Sequence, residues 1–348
     1  MKLLMITRKV DRNDHLAGFI YRWVEKLAGQ VDGLRVITWQ EGDITGLPAN
    51  VKITQLKAKQ NKLIKLVIFK WTIWKQLKDV DGVFCHQMPI YTIIAAPLAK
   101  LRGKKVVSWY THQHVDWRVR LMNRLTDVVL SASKESFRLS TSKLVITGHG
   151  IDLERFSYAE RPARDTFNII SIGRISPTKD YESMIKAVDL LSDKNLRDIK
   201  LSIVGAPGLP KHEAYLESLK KMVSATQLED RITFIGPRPH TDVPELLYHS
   251  DVFINMSGTG SLDKAVLEAM ASGCLIITAN EAFTSLLPAA MRTERDNPVL
   301  LAQKIENLIL LPESQRQLLR LSLRQIVVND HNLDDLVKKI VYQYGKTN

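Results

Sequence analysis

Ser257-Gly258-Thr259-Gly260-Ser261 is a run of small residues between a strand-like segment, Asp251-Val-Phe-Ile-Asn, and a helical pattern with one carboxylate, Glu268, among apolar neighbours. Small residues let a ligand approach the backbone. The N–H groups and positive end of a following helix then favour an anion, most naturally a phosphate. A tight turn with a serine cap is the structural alternative. Glu268 lies two helical turns past Ser261, so a helix running out of the turn would place it on the same face. A carboxylate there suits two adjacent ribose hydroxyls. A second cluster is SIGRISPTKDYESMIKAV: Gly173 ends an apolar strand pattern, Arg174 leaves it, and Lys179 follows near a helix start. Arg chelates two phosphate oxygens and Lys acts as a point charge, so the pair forms an anion clamp unless both are solvated. A third is Thr-His112-Gln-His114-Val-Asp116. Two histidines on one strand face would suit a metal, or the segment is a loop without a ligand role.

The elements that must position these residues alternate along the whole chain. Apolar runs KLLMIT, LRVITW, VKITQL, GVFCH, KKVVSWY and DVVLSAS fill the first half. FNIISIG, KLSIVGA, RITFIG, DVFINMS and CLIITA fill the second, each followed by a helical pattern. Such alternation predicts parallel sheets with helices on both faces, and ligands beyond the carboxyl ends of the strands. The charged, aperiodic stretch 155–167 predicts the break between two doubly wound units. The 348 residues agree with two domains.

Charge divides unevenly. Residues 1–165 carry 28 Lys and Arg against 15 Asp and Glu, whereas residues 166–348 carry 21 against 22. The basic excess of the first half predicts a polyanionic partner there. No aromatic–basic RNA motif or recognition-helix signature accompanies it, so nucleic acid is not the expected partner. Within residues 57–79 the lysines scatter around a helical wheel and the apolar residues nearly encircle it. That segment is either a buried helix with snorkelling lysines or a docked helix presenting Lys and Trp to anionic headgroups. Trp117, Arg118, Arg120 and Arg124 would extend such a surface. No run reaches the ~20 apolar residues of a membrane span. Cys85 and Cys274 sit in apolar runs and read as buried thiols of a reducing compartment.

Taken in order, the motifs resemble the family-4 retaining glycosyltransferases (glycosyl transferases group 1). IGRISPTKDYESMIKA resembles the family's Gly-Arg…Lys segment, GHGIDLERF its interdomain segment, and LEAMASGCLIIT its second-glutamate helix. The resemblance covers most of the chain and is strongest over 145–280. It implies an α/β fold of two Rossmann-like doubly wound parallel-sheet domains facing across a cleft, the glycosyltransferase-B architecture. The domains would be 1–156 on the acceptor side, 165–328 on the donor side, and 329–348 a helix returning to the first. Carried over, Arg174 and Lys179 bind and activate the donor diphosphate, Gly258, Thr259, Gly260 and Ser261 cover it, and Glu268 holds the ribose. Arg238 lies near the base, Gly18 faces the donor, and His112 stands near the transferred sugar.

The chain departs from the family pattern at three positions. Gly260 stands where the family has its first glutamate, with Asp263 as the nearby substitute. Lys179-Asp180 replaces a Lys-Gly pair, and His149 replaces an asparagine. The implied reaction is metal-independent hexosyl transfer with retention, the leaving diphosphate taking the acceptor's proton. The nucleotide-diphosphate sugar is a co-substrate, no cofactor is expected, and the acceptor is a glycan or lipid-linked. The expected setting is cytoplasmic, peripheral on the inner face of the cell membrane. A nucleotide-sugar epimerase, a phosphorylase and an inactive glycan-binding member are the alternatives.

Overall fold

A computed structural model describes residues 1–56, 61–161, 164–192, 194, 196 and 198–345. The chain forms two compact units, one of Met1–Asp152, Pro239–Thr241 and His331–Asn348, the other of Leu153–Arg238 and Asp242–Asp330.

The first unit runs β1 (Lys2–Val10), α1 (Phe19–Ala28), β2 (Gly33–Glu41), β3 (Val51–Gln55), α2 (Lys62–Gln76), β4 (Gly82–His86) and α3 (Pro89–Lys100). It continues through β5 (Lys105–Trp109), α4 (Trp117–Leu125), β6 (Val128–Ser131) and β7 (Leu144–Ile146). Its seven strands are parallel in the order β3-β2-β1-β4-β5-β6-β7. Strands buried on both faces read as continuous apolar runs, and Leu3, Leu4, Met5 and Ile6 are all fully buried. One face packs Trp23, Val24 and Leu27 of α1, and the other packs Phe69, Ile73 and Tyr91 of α2 and α3.

The second unit runs β8 (Thr166–Ile172), α5 (Tyr181–Ser192), β9 (Asp198–Val204), α6 (Glu213–Ala225), β10 (Ile232–Gly236) and α7 (Val243–Tyr248). Then come β11 (Val252–Asn255), α8 (Lys264–Ala271), β12 (Leu275–Thr278), α9 (Pro298–Leu310) and α10 (Glu313–Asp330). Its five strands are parallel in the order β10-β9-β8-β11-β12. The last helix, α11 (Leu333–Gly345), belongs to the first unit and buries Leu333, Leu336, Val337 and Ile340 in that core.

In the connector, Asp152 is 6% exposed and accepts a hydrogen bond from Arg22 Nε of α1 at 2.5 Å. His149 is buried, and its backbone N–H donates to His331 Nδ1. Both cysteines are free and buried. Burial pushes the Cys85 thiol up to about 12 and also raises Cys274.

Candidate active site

Strand order decides which loops become neighbours. The second sheet is laid down from β8 outward to β10, and β11 then returns to pair with β8 on its other side. That reversal is a topological switch point, where open α/β sheets bind ligands beyond their strand ends. The loops after β8 and β11 therefore meet. Gly258 N–H donates to the Thr178 carbonyl at 3.4 Å, and Lys179 Nζ to Asp263 Oδ2 at 3.1 Å. The two polar clusters of the sequence, some 80 residues apart, form one site.

The loop after β8 passes through a 3-10 turn, Pro177–Lys179, and then Asp180 at φ 48°. A left-handed conformation favours glycine, but Asp tolerates it when its short side chain finds local donors. Asp180 does so: its carboxylate accepts from Ser183 N–H at 3.3 Å, capping α5, and from Asp296 N–H at 2.8 Å. Gly173 lies under Lys179, whose Cε would be 3.6 Å from a Cβ placed there.

The bend after β11 is held from below by a polar network. Asn255 Nδ2 donates to Asp263 Oδ2 at 2.8 Å, and Ser257 N–H to Asn255 Oδ1 at 3.2 Å. Thr278 Oγ1 donates to Asn255 Oδ1 at 3.3 Å, and Asn280 Nδ2 to the Ser261 carbonyl at 2.8 Å. Ser257 donates through its hydroxyl to Thr259 Oγ1. Buried polar atoms must be paired, and this network fixes the path of the bend through Ser261. Gly260 has φ 60°, a conformation costly for a glutamate, so backbone and residue type agree at that departure from the family pattern.

The structure changes two details of the sequence reading. The helix expected to leave Ser261 begins at Lys264, with Asp263 at the N-cap position making no side-chain cap bond. Residues 257–263 are not helical, so helical spacing from Ser261 does not place Glu268. It lies inside α8, 4% exposed, among buried Val266, Leu267, Ala269 and Met270. The pair of cations also splits. Lys179 reaches the bend, whereas the exposed Arg174 rests its stem on Gly208 of the loop after β9, 2.9 Å from a Cβ placed there.

Arg295 escaped the sequence reading. Its guanidinium lies over Gly258, with Nη1 2.9 Å from a Cβ built there, and Nη2 donates to the Pro177 carbonyl at 3.4 Å. No local pattern marks it; Pro177 and Arg295 are 118 residues apart in sequence. Arg238 is exposed after the edge strand β10, two strands from β8, about 10 Å along the sheet.

In the first unit, Gly18 precedes α1 in a loop built around Asp14. Asp14 Oδ1 accepts from Leu16 and Ala17 N–H, and Gly18 N–H donates to the Asp14 carbonyl at 3.0 Å. A Cβ at Gly18 would sit 2.5 Å from that carbonyl oxygen, so loop packing alone requires the glycine. Burial opposes ionisation of Asp14, but the Lys9 ammonium and the two N–H groups outweigh it and hold the carboxyl below its ordinary value. His112 is exposed in the loop after β5, its Nδ1 accepting from His114 N–H at 3.1 Å. The strand ends at Trp109, so the premise that the two histidines share a strand face fails. Asp116 is the N-cap of α4, accepting from Arg118 and Val119 N–H. Among the described residues, no three His, Cys, Asp or Glu are grouped as metal ligands.

Residues 152–319 match the family model "Glycosyl transferases group 1". The chain is similar to the D-inositol 3-phosphate glycosyltransferase of Corynebacterium glutamicum, 28% identical over 149 residues, covering 39% of this chain and 35% of the relative. It is also similar to a phosphatidylinositol N-acetylglucosaminyltransferase component of Arabidopsis thaliana, 29% identical over 143 residues, covering 40% and 30%. The matched segments span about a third of the length of these curated relatives. Over whole chains the fold is similar to that of Anabaena HepE, solved with UDP and glucose, at TM-score 0.78 and 17% identity, covering 99% of both. The two parallel-sheet units have the glycosyltransferase-B fold, and the match to the glycosyl transferases group 1 model falls almost wholly within the second of them.

Proposed function

We propose that the protein is a metal-independent retaining hexosyltransferase. It moves a sugar from a nucleoside-diphosphate donor to a glycan or lipid-linked acceptor. The observation that carries this reading is the convergence of Lys179, the Gly258–Ser261 bend and Arg295 at the β8/β11 switch point. As the glycosidic bond breaks, negative charge grows on the leaving diphosphate. Cations and backbone N–H groups already in place stabilise it without reorganisation. Asp263 holds Lys179 in position until the diphosphate competes for it, and Arg174 supplies a further cation from the opposite side of the same loop. Glu268 is assigned to the ribose and His112 to the sugar side, by resemblance. The acceptor end belongs to the basic first half, which we assign to an anionic membrane surface on the cytoplasmic side. Among the described residues no helix is long and apolar enough to cross a membrane. HepE was solved with UDP and glucose, which supports UDP-sugars as the first donors to test.

A thermal-shift panel of UDP, GDP and ADP with their sugars tests the reading. A ligand bound at a hundredfold excess over Kd adds about 2.7 kcal/mol, several degrees in Tm for domains of this size. One diphosphate family is expected to stabilise the wild type and not Lys179→Ala. Transfer with the stabilising sugar should persist in EDTA with the anomeric configuration kept. The proposal fails if no nucleoside diphosphate shifts the wild type, or if EDTA abolishes transfer.

A further inference from the structure

Helix α2 faces the wrong way for an ordinary surface helix. Its buried side carries Phe69, Thr72, Ile73 and Gln76. Leu63, Ile64, Val67, Trp71 and Trp74 are exposed at 71, 50, 64, 61 and 38%. At 3.6 residues per turn these five fall within one arc of about 100°, bordered by Lys70 and Lys75. The Arg102 guanidinium lies 3.9 Å over the Trp74 ring at the edge of this stripe, and elsewhere in the helix layer Trp117 of α4 is 62% exposed beside Arg118. A contiguous exposed apolar stripe flanked by cations is the composition of a helix lying at a lipid interface. Of the two sequence readings of this segment the structure supports the docked helix presenting Lys and Trp; residues 57–60 lie outside the described residues.

Beside the stripe is a cavity of about 290 Å³ lined by Arg35, Lys52, Thr54, Trp71, Lys75 and Gln76. Arg35 and Lys52 are direct register partners on β2 and β3, an arrangement that is unfavourable for like charges without an anion between them. Asp79 pairs with Arg35 at 2.7 Å but is largely exposed, and the other two cations remain. Gln76 is 8% exposed, and its Oε1 has no hydrogen-bond partner among the described residues. Its Nε2 donates to Thr54 Oγ1 at 2.9 Å, which leaves the Thr54 hydroxyl able to donate to a further acceptor. The lining thus offers cations and a hydroxyl to a phosphate, and a buried acceptor to a hydroxyl. Trp71 belongs to both cavity and stripe.

We propose that this cavity seats the headgroup phosphate of an anionic, hydroxyl-bearing phospholipid while the α2 stripe rests at the acyl boundary. The apolar rim selects a lipid over a soluble phosphate. The inference rests on the reading of the first half as the face toward an anionic surface, and it does not require glycosyl transfer.

Sedimentation of the intact protein with phosphatidylglycerol-containing and pure phosphatidylcholine vesicles tests it. The wild type should partition to the anionic vesicles at least tenfold more than to the neutral ones. Lys52→Glu and Lys75→Glu should each lose about tenfold. Lys134→Glu, an equal charge change in the loop after β6, should lose less than about threefold. If all three variants weaken binding equally, attraction is diffuse and the cavity is not a site, although the membrane reading stands. Equal binding to neutral vesicles, or no binding of the wild type to anionic ones, overturns both.

Discussion

At the switch point of the first sheet, between β1 and β4, the strand ends are filled. Thr7 Oγ1 and His86 Nδ1 lie 3.0 Å apart in the interior, and the His86 ring stacks on Trp109 with centroids 5.3 Å apart. Lys9 sits between Asp11 and Asp14, so its charge is more than balanced. At the switch point of the second sheet, between β8 and β11, the strand ends carry Gly173, Ser257, Gly258, Thr259 and Gly260. There Lys179 pairs with Asp263, and the Arg295 guanidinium lies over Gly258. The same topology thus supplies a ligand position in both units. Side-chain volume and charge balance distinguish the two ends, and the proposed diphosphate position lies at the second.

The largest effects should separate the two ends by function. Lys179→Ala should lower turnover a hundredfold or more, about 3 kcal/mol of transition-state stabilisation, measured at saturating donor. Lys9→Ala should leave donor affinity within about twofold while lowering Tm, because its partners are carboxylates of its own loop. An equal loss of turnover in both would erase the contrast.

The glycines should separate by packing. Gly18→Ala places a Cβ 2.5 Å from a backbone oxygen and should cost about 2–3 kcal/mol in denaturant unfolding. Gly173→Ala meets the Lys179 side chain at 3.6 Å and the Tyr181 hydroxyl at 3.9 Å, both ordinary contact distances, and should cost under about 1 kcal/mol. At Asp180 the cap and the left-handed backbone compete. Asp180→Ala should cost about 2 kcal/mol by losing the cap and keeping the strain, and Asp180→Gly roughly half of that.

Acid should loosen the first unit's loop. Asp11 and Asp14 both have folded-state values below 3.8. The stability they confer is therefore complete above their unfolded values and is lost as pH falls through the lowered ones. Amide protection of residues 14–18, the exchange rate taken relative to the intrinsic rate at each pH, should fall below about pH 4; protection unchanged down to pH 2 would contradict the pairing. The smallest effect concerns the thiols. With both buried and raised, neither cysteine should react with a thiol reagent in the native protein at pH 8, and both should react in denaturant.

Much of this was legible in the chain. The continuous apolar runs of Leu3–Ile6 and Ile169–Ile170 announce strands covered on both faces, and the small-residue bend and Lys179, singled out separately in the sequence, are neighbours in the fold. What failed was local geometry inferred by extending a helix too far. A stretch of Ser, Gly and Thr obeys no period, so the start of α8 at Lys264 could not be read from spacing. Asn255, Thr278 and Asn280 were missed because a polar residue at a strand end looks the same whether or not it supports a neighbouring loop.

The sequence by itself determined the alternation of strands and helices, the two-unit plan and the uneven charge, because each depends on residues near one another in the chain. Tertiary structure alone decided that Arg295 lies over Gly258, that Asp180 joins Ser183 to Asp296, and that α2 turns its tryptophans outward. Those facts follow from which strands pair and which helix face their packing consumes, and neither is encoded in any local period of the chain.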